Sequence, residues 1–292
     1  MGNNNSVAIT QDQIDDFCLQ CRPLDLLVFR GREGVSNLIR KLEGKKTGND
    51  TISHVEVVIT PEWCERITSL TKKFEAFPTF EKITPHPKYL LSWGSTLSGK
   101  LNDGVNNAET GGVKFGVQIR DLRELVSTYA SRPGANVGVC RLKLNPTDPS
   151  QAQDLSEPGA TGDLQSPTSG TAALKQKIAE AYDKYRDSTY NFNILDLLAA
   201  IYPEFRPARD KLNKVIRKFL KGDEFMFCSE FAASLYRDLG IINDSTDGKV
   251  DGETLDPGNV VPVDFLGHDA DTEGIRVELC EPPIWIKPLD TQ

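Results

Sequence analysis

Strand patterns recur along this chain, and helical patterns lie between them and at both ends. The clearest strand is ISHVEVVIT at 52–60, in which every second side chain shares one face. Apolar strand patterns also occur at 24–31, 89–96, 137–144 and 274–280. Helical spacing of apolar residues occurs at 8–21, 35–44, 119–130, 172–187 and 193–202. The chain has no internal repeat, and this order of strands and helices predicts an α+β fold.

Composition and charge limit the classes of protein to which the chain can belong. Of its 292 residues, 38% are hydrophobic and 26% are charged, which is enough apolar material for a sizeable core. The net charge of −8 opposes contact with phosphates, so we expect no nucleic-acid partner. No run approaches the ~20 apolar residues of a membrane span. The first residues also lack the pattern of a signal peptide.

The cysteines indicate a reducing, cytoplasmic compartment. Six of them are scattered along the chain, unlike the framework of a secreted disulfide-rich domain. Cys18 and Cys21 have the spacing of half a zinc site, but no second pair follows. The segment 243–254 resembles a calcium loop but has Thr254 where the bidentate glutamate belongs. We therefore predict no metal and no cofactor.

One segment differs from the rest in composition. Residues 145–171 contain four prolines, no aromatic residue and many Ser, Thr, Gly and Asp residues. This composition predicts a flexible linker or a surface insertion. We therefore expect an N-terminal leader and helix at 1–21, followed by a single domain at 22–288 that the insertion interrupts.

A cysteine lies where a short strand pattern becomes a helical one. In FMFCSEFAASLYRDLG, at 225–240, Cys228 begins the helix and extends the apolar face of Phe231 and Leu235. A buried, inert thiol is one interpretation, and it is the commonest fate of a free cysteine. A nucleophile is the other. The unpaired N–H groups and the positive dipole at a helix start stabilise a thiolate and offer donors to an oxyanion.

A thiol nucleophile needs a base, and the chain has only three histidines. His86 lies between two prolines and His268 lies in a polar loop, whereas His54 lies within a strand. A strand holds an imidazole rigidly, and His54 shares its face with Glu56. The alternative for His54 is a hydrogen-bonded structural role.

The order of these motifs resembles that of the permuted papain-like amidases. From about residue 22 to 266 the chain contains, in order, LDLLVFRG, SHVEVVI, YLLSWGS, IRDLREL, YDKYRDSTYN, FCSEFAASLYRDLGI and LDPGNVVPVDFL. This series is similar to the YiiX-like branch of the NlpC-type thiol hydrolase superfamily, to which lecithin–retinol acyltransferase is related. The resemblance implies a circularly permuted papain-like fold, with a central antiparallel sheet and a catalytic cysteine at a helix N-terminus. The Gly-Asp pair that opens the family's first strand is Leu24-Asp25 here, and we expect Asp25 to be structural.

The resemblance carries catalytic roles to particular residues. It makes Cys228 the nucleophile and His54 the base, although His54 comes first in the chain, because catalysis depends on proximity in space. The family's third residue, a glutamate or a histidine, corresponds to Ser92 here. A serine can orient an imidazole but cannot stabilise its charge as a carboxylate does. Glu56 is the alternative third residue.

Two further features point to a membrane surface. MGNNNS matches the N-myristoylation pattern with Gly2 as acceptor, which would place the protein in a eukaryotic cell, and a disordered polar leader is the alternative. The segment 205–222 contains seven basic residues and one acid. A solvated helix packed on the core is one interpretation, and a membrane-surface helix is the other. The residues expected to contact an anionic membrane are Lys214, Arg217, Lys218 and Lys221.

These observations lead to one expected function and one alternative. We expect a thiol hydrolase or acyltransferase that cleaves an amide, ester or thioester through an acyl-enzyme, acting on an acyl, lipid or peptide substrate. Without an export signal, a lipid or a lipid- or peptide-modified protein fits better than peptidoglycan. The alternative is a catalytically inactive papain-like module that binds its partner at a membrane, which the weak third residue Ser92 favours.

Overall fold

The fold is described from a computed structural model of the chain. It describes residues 9–31, 37, 39–41, 52–60, 64, 90–97, 105–112, 114–142, 169–190, 206–208, 225–241, 257, 260–266 and 280–287. Several predicted features lie outside these residues, namely Gly2, Lys214, Arg217, Lys218, Lys221, His86, His268, the helix at 193–202 and the insertion as far as residue 168.

An antiparallel sheet is the centre of the described structure. The strands are β1 (Leu26–Arg30), β2 (His54–Ile59), β3 (Leu91–Leu97), β4 (Phe115–Asp121), β5 (Asn136–Cys140), β6 (Thr189–Tyr190), β7 (Phe225–Met226) and β8 (Ile284–Trp285). Six of them form an open sheet in the order β4-β3-β2-β1-β5-β8, with every neighbouring pair antiparallel. The short strands β6 and β7 form a separate parallel pair.

Helices cover both faces of this sheet. They are α1 (Gln11–Gln20), α2 (Leu122–Ser131), α3 (Ser169–Tyr185) and α4 (Cys228–Asp238), and a 3-10 turn follows at Pro262–Leu266. The helices α1 and α2 share one hydrophobic core with the sheet, and α3 and α4 share the other. The chain is therefore α+β, as the order of its sequence patterns predicts. No helix within the described ranges has both the length and the apolar character needed to cross a membrane.

Alternation along β2 divides its side chains between these two cores. Val55 and Val57 belong to the core of α3 and α4, whereas Val58 belongs to the core of α1 and α2. Because both faces are covered, every residue of β2 is buried, including His54 and Glu56. The ionisable side chains of His54 and Glu56 are therefore buried between the sheet and the covering helices rather than exposed to solvent.

Two predicted element boundaries are wrong. The helix predicted at 119–130 begins only at Leu122, because residues 119–121 are the end of β4. The residues 116–120 of β4 are all buried, and then the Asp121 side chain accepts a hydrogen bond from Glu124 N at 2.8 Å and caps the helix. The helix predicted from residue 172 begins at Ser169, inside the predicted insertion 145–171.

Candidate active site

His54 is the first residue of β2, and its position is fixed by the neighbouring strand. It pairs with Phe29 of β1, and the two ring centroids are 5.3 Å apart. On its other side the Phe29 ring contacts Tyr129 of α2, with centroids 4.6 Å apart. The imidazole is therefore packed in an aromatic environment, and only 7% of the residue is exposed.

Cys228 is the first residue of α4, and hydrogen bonds hold the chain on both sides of it. Before it, Ser95 of β3 donates its hydroxyl to the carbonyl of Met226 at 2.8 Å. After it, Ser229 donates its hydroxyl to the carbonyl of Val260 at 2.7 Å. At a helix start the first N–H groups have no intrahelical acceptor. The thiol, 2% exposed, therefore lies beside backbone donors at the positive end of the helix dipole.

The Cys228 thiol interacts with the His54 imidazole. Burial by itself lowers the pKa of His54, but the negative charge of Cys228, and then that of Glu56, outweigh it and raise that pKa to about 10. Cys228 and Glu56 are thus the two side chains that raise the pKa of the ring. The arrangement favours the charged form of the imidazole.

Glu56 lies on the same strand face as His54 and binds its ring. The distance from His54 Nε2 to Glu56 Oε1 is 2.8 Å, and Glu56 is fully buried. Because Nε2 is engaged in this way, Nδ1 is the ring nitrogen left to exchange a proton with the thiol. A carboxylate in this position orients the imidazole and stabilises its charged form.

A buried arginine holds the Glu56 carboxylate from β4. Arg120 Nη2 donates to the same oxygen, Oε1, that accepts the hydrogen bond from His54, and Arg120 is fully buried. Burial by itself raises the pKa of Glu56, but Arg120, and then His54, outweigh it and lower that pKa to about 2. Glu56 is therefore ionised at neutral pH.

Gly94 of β3 provides the space that the Glu56 side chain occupies. A Cβ atom at Gly94 would lie 2.5 Å from Glu56 Cγ and 2.9 Å from Glu56 Cδ, which is closer than unbonded carbon atoms approach. The Glu56 side chain therefore lies against the backbone of β3, between His54 on β2 and Arg120 on β4.

Ser92 lies beside the carboxylate rather than on the imidazole. It pairs with Val58 on one side and with Arg120 on the other, and it is fully buried. The Ser92 hydroxyl contributes to lowering the pKa of Glu56. Within the described structure, however, Ser92 Oγ has no partner that meets the distance and angle criteria of a hydrogen bond. Glu56 Oε2 is likewise buried without a hydrogen-bond partner there. Ser92 thus lies next to the Glu56 carboxylate, and it is this carboxylate that contacts His54.

The structure brings together the four catalytic candidates selected from the sequence, and it adds two residues. Cys228, His54 and Glu56 form one connected group, with Ser92 at its border. Sequence reasoning missed Arg120 and Gly94. The signal for Arg120 is the alternation of Gly116, Gln118 and Arg120 with the apolar Val117 and Ile119, but the helical pattern predicted at 119–130 overlaps its end. No signal distinguished Gly94 from any other glycine in a strand.

The arrangement has the groups that nucleophilic catalysis by a thiol requires. These are a thiol at a helix start, a base within reach, and a carboxylate that orients the base. Backbone N–H groups at the start of α4 supply donors for an oxyanion. Among the described residues, no group of three or more His, Cys, Asp or Glu side chains is arranged to hold a metal ion.

Comparisons with known proteins identify no relative of this chain. Protein-family models give no match. Curated proteins and solved structures give none either.

Proposed function

We propose that this protein is a thiol hydrolase or acyltransferase with a circularly permuted papain-like fold, and that it works through an acyl-enzyme at Cys228. The observation that carries the proposal is the buried hydrogen bond of 2.8 Å between His54 Nε2 and Glu56 Oε1, together with the influence of Cys228 on the pKa of the same imidazole. A structural histidine would need neither a thiol at a helix start nor a carboxylate behind it.

The reaction would proceed in two stages. His54 Nδ1 takes the thiol proton, and the Cys228 thiolate attacks the carbonyl carbon of an amide, ester or thioester. The backbone N–H at the start of α4 binds the oxyanion, and His54 returns the proton to the amine, alcohol or thiol that leaves. His54 then deprotonates water or an acceptor, which attacks the acyl-enzyme and restores the thiol. Glu56 holds the ring in place throughout.

Two details of the residues just before β1 support the permuted papain-like assignment. Leu24, which stands where the family has glycine, has a φ of 70°, in the left-handed region that favours glycine. Asp25 is 3% exposed, and its side chain accepts a hydrogen bond from Arg22 N at 2.8 Å. This second observation fits the structural role expected of Asp25.

Site-resolved alkylation tests the proposal. The chain would be treated with iodoacetamide at neutral pH, and labelling of each of the six cysteines followed by mass spectrometry. We expect Cys228 to label fastest, and His54→Ala to slow its labelling by at least about tenfold because the imidazolium that stabilises the thiolate is lost. Cys228→Ser identifies the labelled site. Slow and uniform labelling of all six thiols would contradict the proposal.

A catalytically inactive binding module is the second candidate, and the depth of the site favours it. Cys228 is 2% exposed, and Arg120 shares the carboxylate that would stabilise the imidazolium. Exposure of the protein to cell extract, followed by mass spectrometry of Cys228, separates the two functions. An acyl adduct on Cys228 that is absent from His54→Ala supports the enzyme, and a reactive thiol that never acquires an acyl group supports the module.

The membrane surface is a further part of the proposal, and it rests on the sequence. A myristoyl chain on Gly2 gives only marginal membrane binding, so a basic segment would be the second signal. We expect both Gly2→Ala and the joint neutralisation of Lys214, Arg217, Lys218 and Lys221 to release the protein from anionic vesicles. If both variants bind as the parent does, the membrane part of the proposal is wrong, whatever the reactivity of Cys228.

A further inference from the structure

We propose that Phe29 is a positioning residue whose aromatic ring holds the charged imidazole of His54 in place through a cation–π contact. The inference goes beyond the proposed function, in which Glu56 alone orients the base. It makes β1, a strand that carries none of the catalytic candidates, a part of the site. It rests on the proposed function only in that His54 is taken as the base.

The rings of Phe29 and His54 lie next to each other on one face of the sheet. The two residues are partners in the register of β1 and β2, their ring centroids are 5.3 Å apart, and the ring planes are inclined by 44°. A cation within about 6 Å of the centroid of an aromatic ring is attracted by the negative potential of the ring face. Phe29 is fully buried and His54 nearly so, which leaves little water to screen this attraction. Distance and burial therefore both suit a cation–π contact.

The buried imidazole needs a second support besides Glu56. Burial by itself favours the neutral ring, so a charged ring in this place has to be stabilised by its neighbours. The hydrogen bond of 2.8 Å between His54 Nε2 and Glu56 Oε1 fixes one ring nitrogen, and the ring could still pivot about that nitrogen. Contact with the Phe29 ring restrains the rest of the imidazole and also contributes to stabilising its charge.

The Phe29 ring is itself firmly held. Phe29 pairs with His54 on β2 and with Val137 on β5, so its backbone lies between two neighbouring strands. Its ring contacts that of Tyr129 on α2, with centroids 4.6 Å apart and planes inclined by 52°. The guanidinium of Arg132 in turn lies 5.8 Å from the centroid of the Tyr129 ring. The Phe29 ring therefore cannot move away from His54 without disturbing the packing of α2 on the sheet.

Other groups around the imidazole also influence its charge, and the experiment has to separate Phe29 from them. In the described part of the chain, the charged or titratable groups on the surrounding strands and helices are Glu56, Arg120, Arg30, Cys228, Glu230, Tyr129 and Arg132. Arg30 follows Phe29 directly, and alternation places it on the opposite face of β1. A series of proteins in which only the ring of Phe29 changes leaves all these groups, and every other charge of the chain, unaltered.

Stepwise fluorination of Phe29 in the full chain provides such a series. Phenylalanine with one, two or three fluorine atoms on its ring would be placed at position 29. Fluorine withdraws electrons from the ring and weakens its attraction for a cation, while it hardly changes the size of the side chain. An NMR titration of the His54 ring protons, assigned with His54→Ala, follows its pKa, which is about 10 in the parent. We expect this pKa to fall with each added fluorine, by about one unit in total.

Two ordinary substitutions complement the series. Phe29→Leu keeps an apolar side chain but removes the aromatic face, so the pKa of His54 should fall by about one unit. Phe29→Tyr retains the aromatic face and should keep the pKa of His54 close to that of the parent. A purely structural role of Phe29 would not make the titration of His54 follow the electron density of the ring.

Phe17 of α1 supplies the matched control. It is buried in the same hydrophobic core as Phe29, and no ring contact joins it to His54 in the described structure. The same fluorinated residues at position 17 should leave the titration of His54 unchanged. Circular dichroism establishes that each protein is folded. If Phe29→Leu does not fold, the fluorinated proteins, whose side chains are close to the parent in size, decide the matter.

The outcomes separate this inference from the proposed function. A pKa of His54 that stays constant along the series at position 29, or that falls equally along the series at position 17, overturns the role of Phe29. Neither result affects the proposed function, which the labelling of Cys228 decides. Conversely, a parent whose six thiols label alike overturns the proposed function, whereas a stepwise fall in the pKa of His54 would still establish the contact with Phe29.

Discussion

The side chain of Glu56 on β2 occupies the space next to Gly94 on the neighbouring strand β3. It fits there only because Gly94 has no side chain. A Cβ atom at Gly94 would come within 2.5 Å of Glu56 Cγ. The packing of β2 on β3 thereby directs the carboxylate along the sheet, where it reaches His54 Nε2 at 2.8 Å and Arg120 on β4. The orientation of the imidazole therefore depends on the absence of a side chain at Gly94 of β3.

Gly94→Ala should separate Glu56 from His54. The added methyl group overpacks a fully buried site, so we expect the free energy of unfolding to fall by about 1–3 kcal/mol. The pKa of His54 should fall as well, because its contact with the carboxylate is weakened. Denaturant unfolding measures the first effect, and an NMR titration of the histidine ring protons measures the second.

Gly112→Ala is the matched control for this substitution. A Cβ atom at Gly112 would meet Thr110 Oγ1 at 3.8 Å, an ordinary contact distance. We expect little change in stability and none in the titration of His54. If Gly94→Ala behaves like Gly112→Ala, the sheet can relax at no cost, and Gly94 is not required by the site.

Two substitutions can decide whether Glu56 or Ser92 is the third member of the site, the residue that orients His54. Glu56→Gln should lower the pKa of His54 by more than about one unit, because the amide is neutral and no longer stabilises the imidazolium. Ser92→Ala should change that pKa by less than about 0.3 unit, since Ser92 contacts the carboxylate and not the ring. With three histidines in the chain, assignment by His54→Ala is simple.

A larger shift from Ser92→Ala than from Glu56→Gln would reverse this assignment. Ser92 would then be the residue that orients the imidazole, as the resemblance to the permuted amidases implies. Glu56 would be reduced to a partner of Arg120.

The sequence was sufficient for the parts of this site that depend on local periodicity. A period of two along ISHVEVVIT places His54 and Glu56 on one face, and the change from strand to helix in FMFCSEF places Cys228 at a helix start. Both statements concern residues close together in the chain, where backbone geometry alone decides which side chains are neighbours. The α+β class follows in the same way from the order of the elements.

The parts of the site that the sequence did not predict depend on how the strands pair. Ser92 stands opposite Arg120, and Val58 opposite Ser92, and this register is set by packing across the whole sheet. Without this register, nothing in IRDLREL indicates that Arg120 faces a carboxylate, and the spacing of its apolar residues predicts a helix. The role of Gly94 is equally invisible, because it depends on which side chain crosses it.

Acid should destabilise this protein in a way that Glu56 can be shown to cause. The pKa of Glu56 is about 2 in the folded chain, below its ordinary value of 4.5, so the unfolded chain binds more protons between these values. The stabilisation is complete above pH 4.5 and is lost as the pH falls towards 2. It amounts to on the order of 3 kcal/mol.

Unfolding by denaturant at several values of pH between 2 and 6 measures how steeply the free energy of unfolding falls with falling pH. The double variant Glu56→Gln/Arg120→Gln, which lacks the titrating group, should show a shallower decline than the parent over the same range. Equal slopes in the two proteins would mean that other carboxylates cause the acid instability and that Glu56 is not held in its charged form.

The hydrogen bond from Ser95 to Met226 offers a test of how the start of α4 is held. Met226 lies two residues before Cys228, and the Ser95 hydroxyl reaches its carbonyl from β3 at 2.8 Å. We expect Ser95→Ala to lower the free energy of unfolding by about 1 kcal/mol, the usual net value of such a bond. Labelling of Cys228 should slow by about two- to threefold because the thiol is less firmly placed against His54. Ser131→Ala, which removes an exposed hydroxyl bonded to Thr128 at 2.9 Å, should change neither quantity. If Ser95→Ala lowers stability but leaves labelling at the parent rate, the start of α4 is held without help from β3.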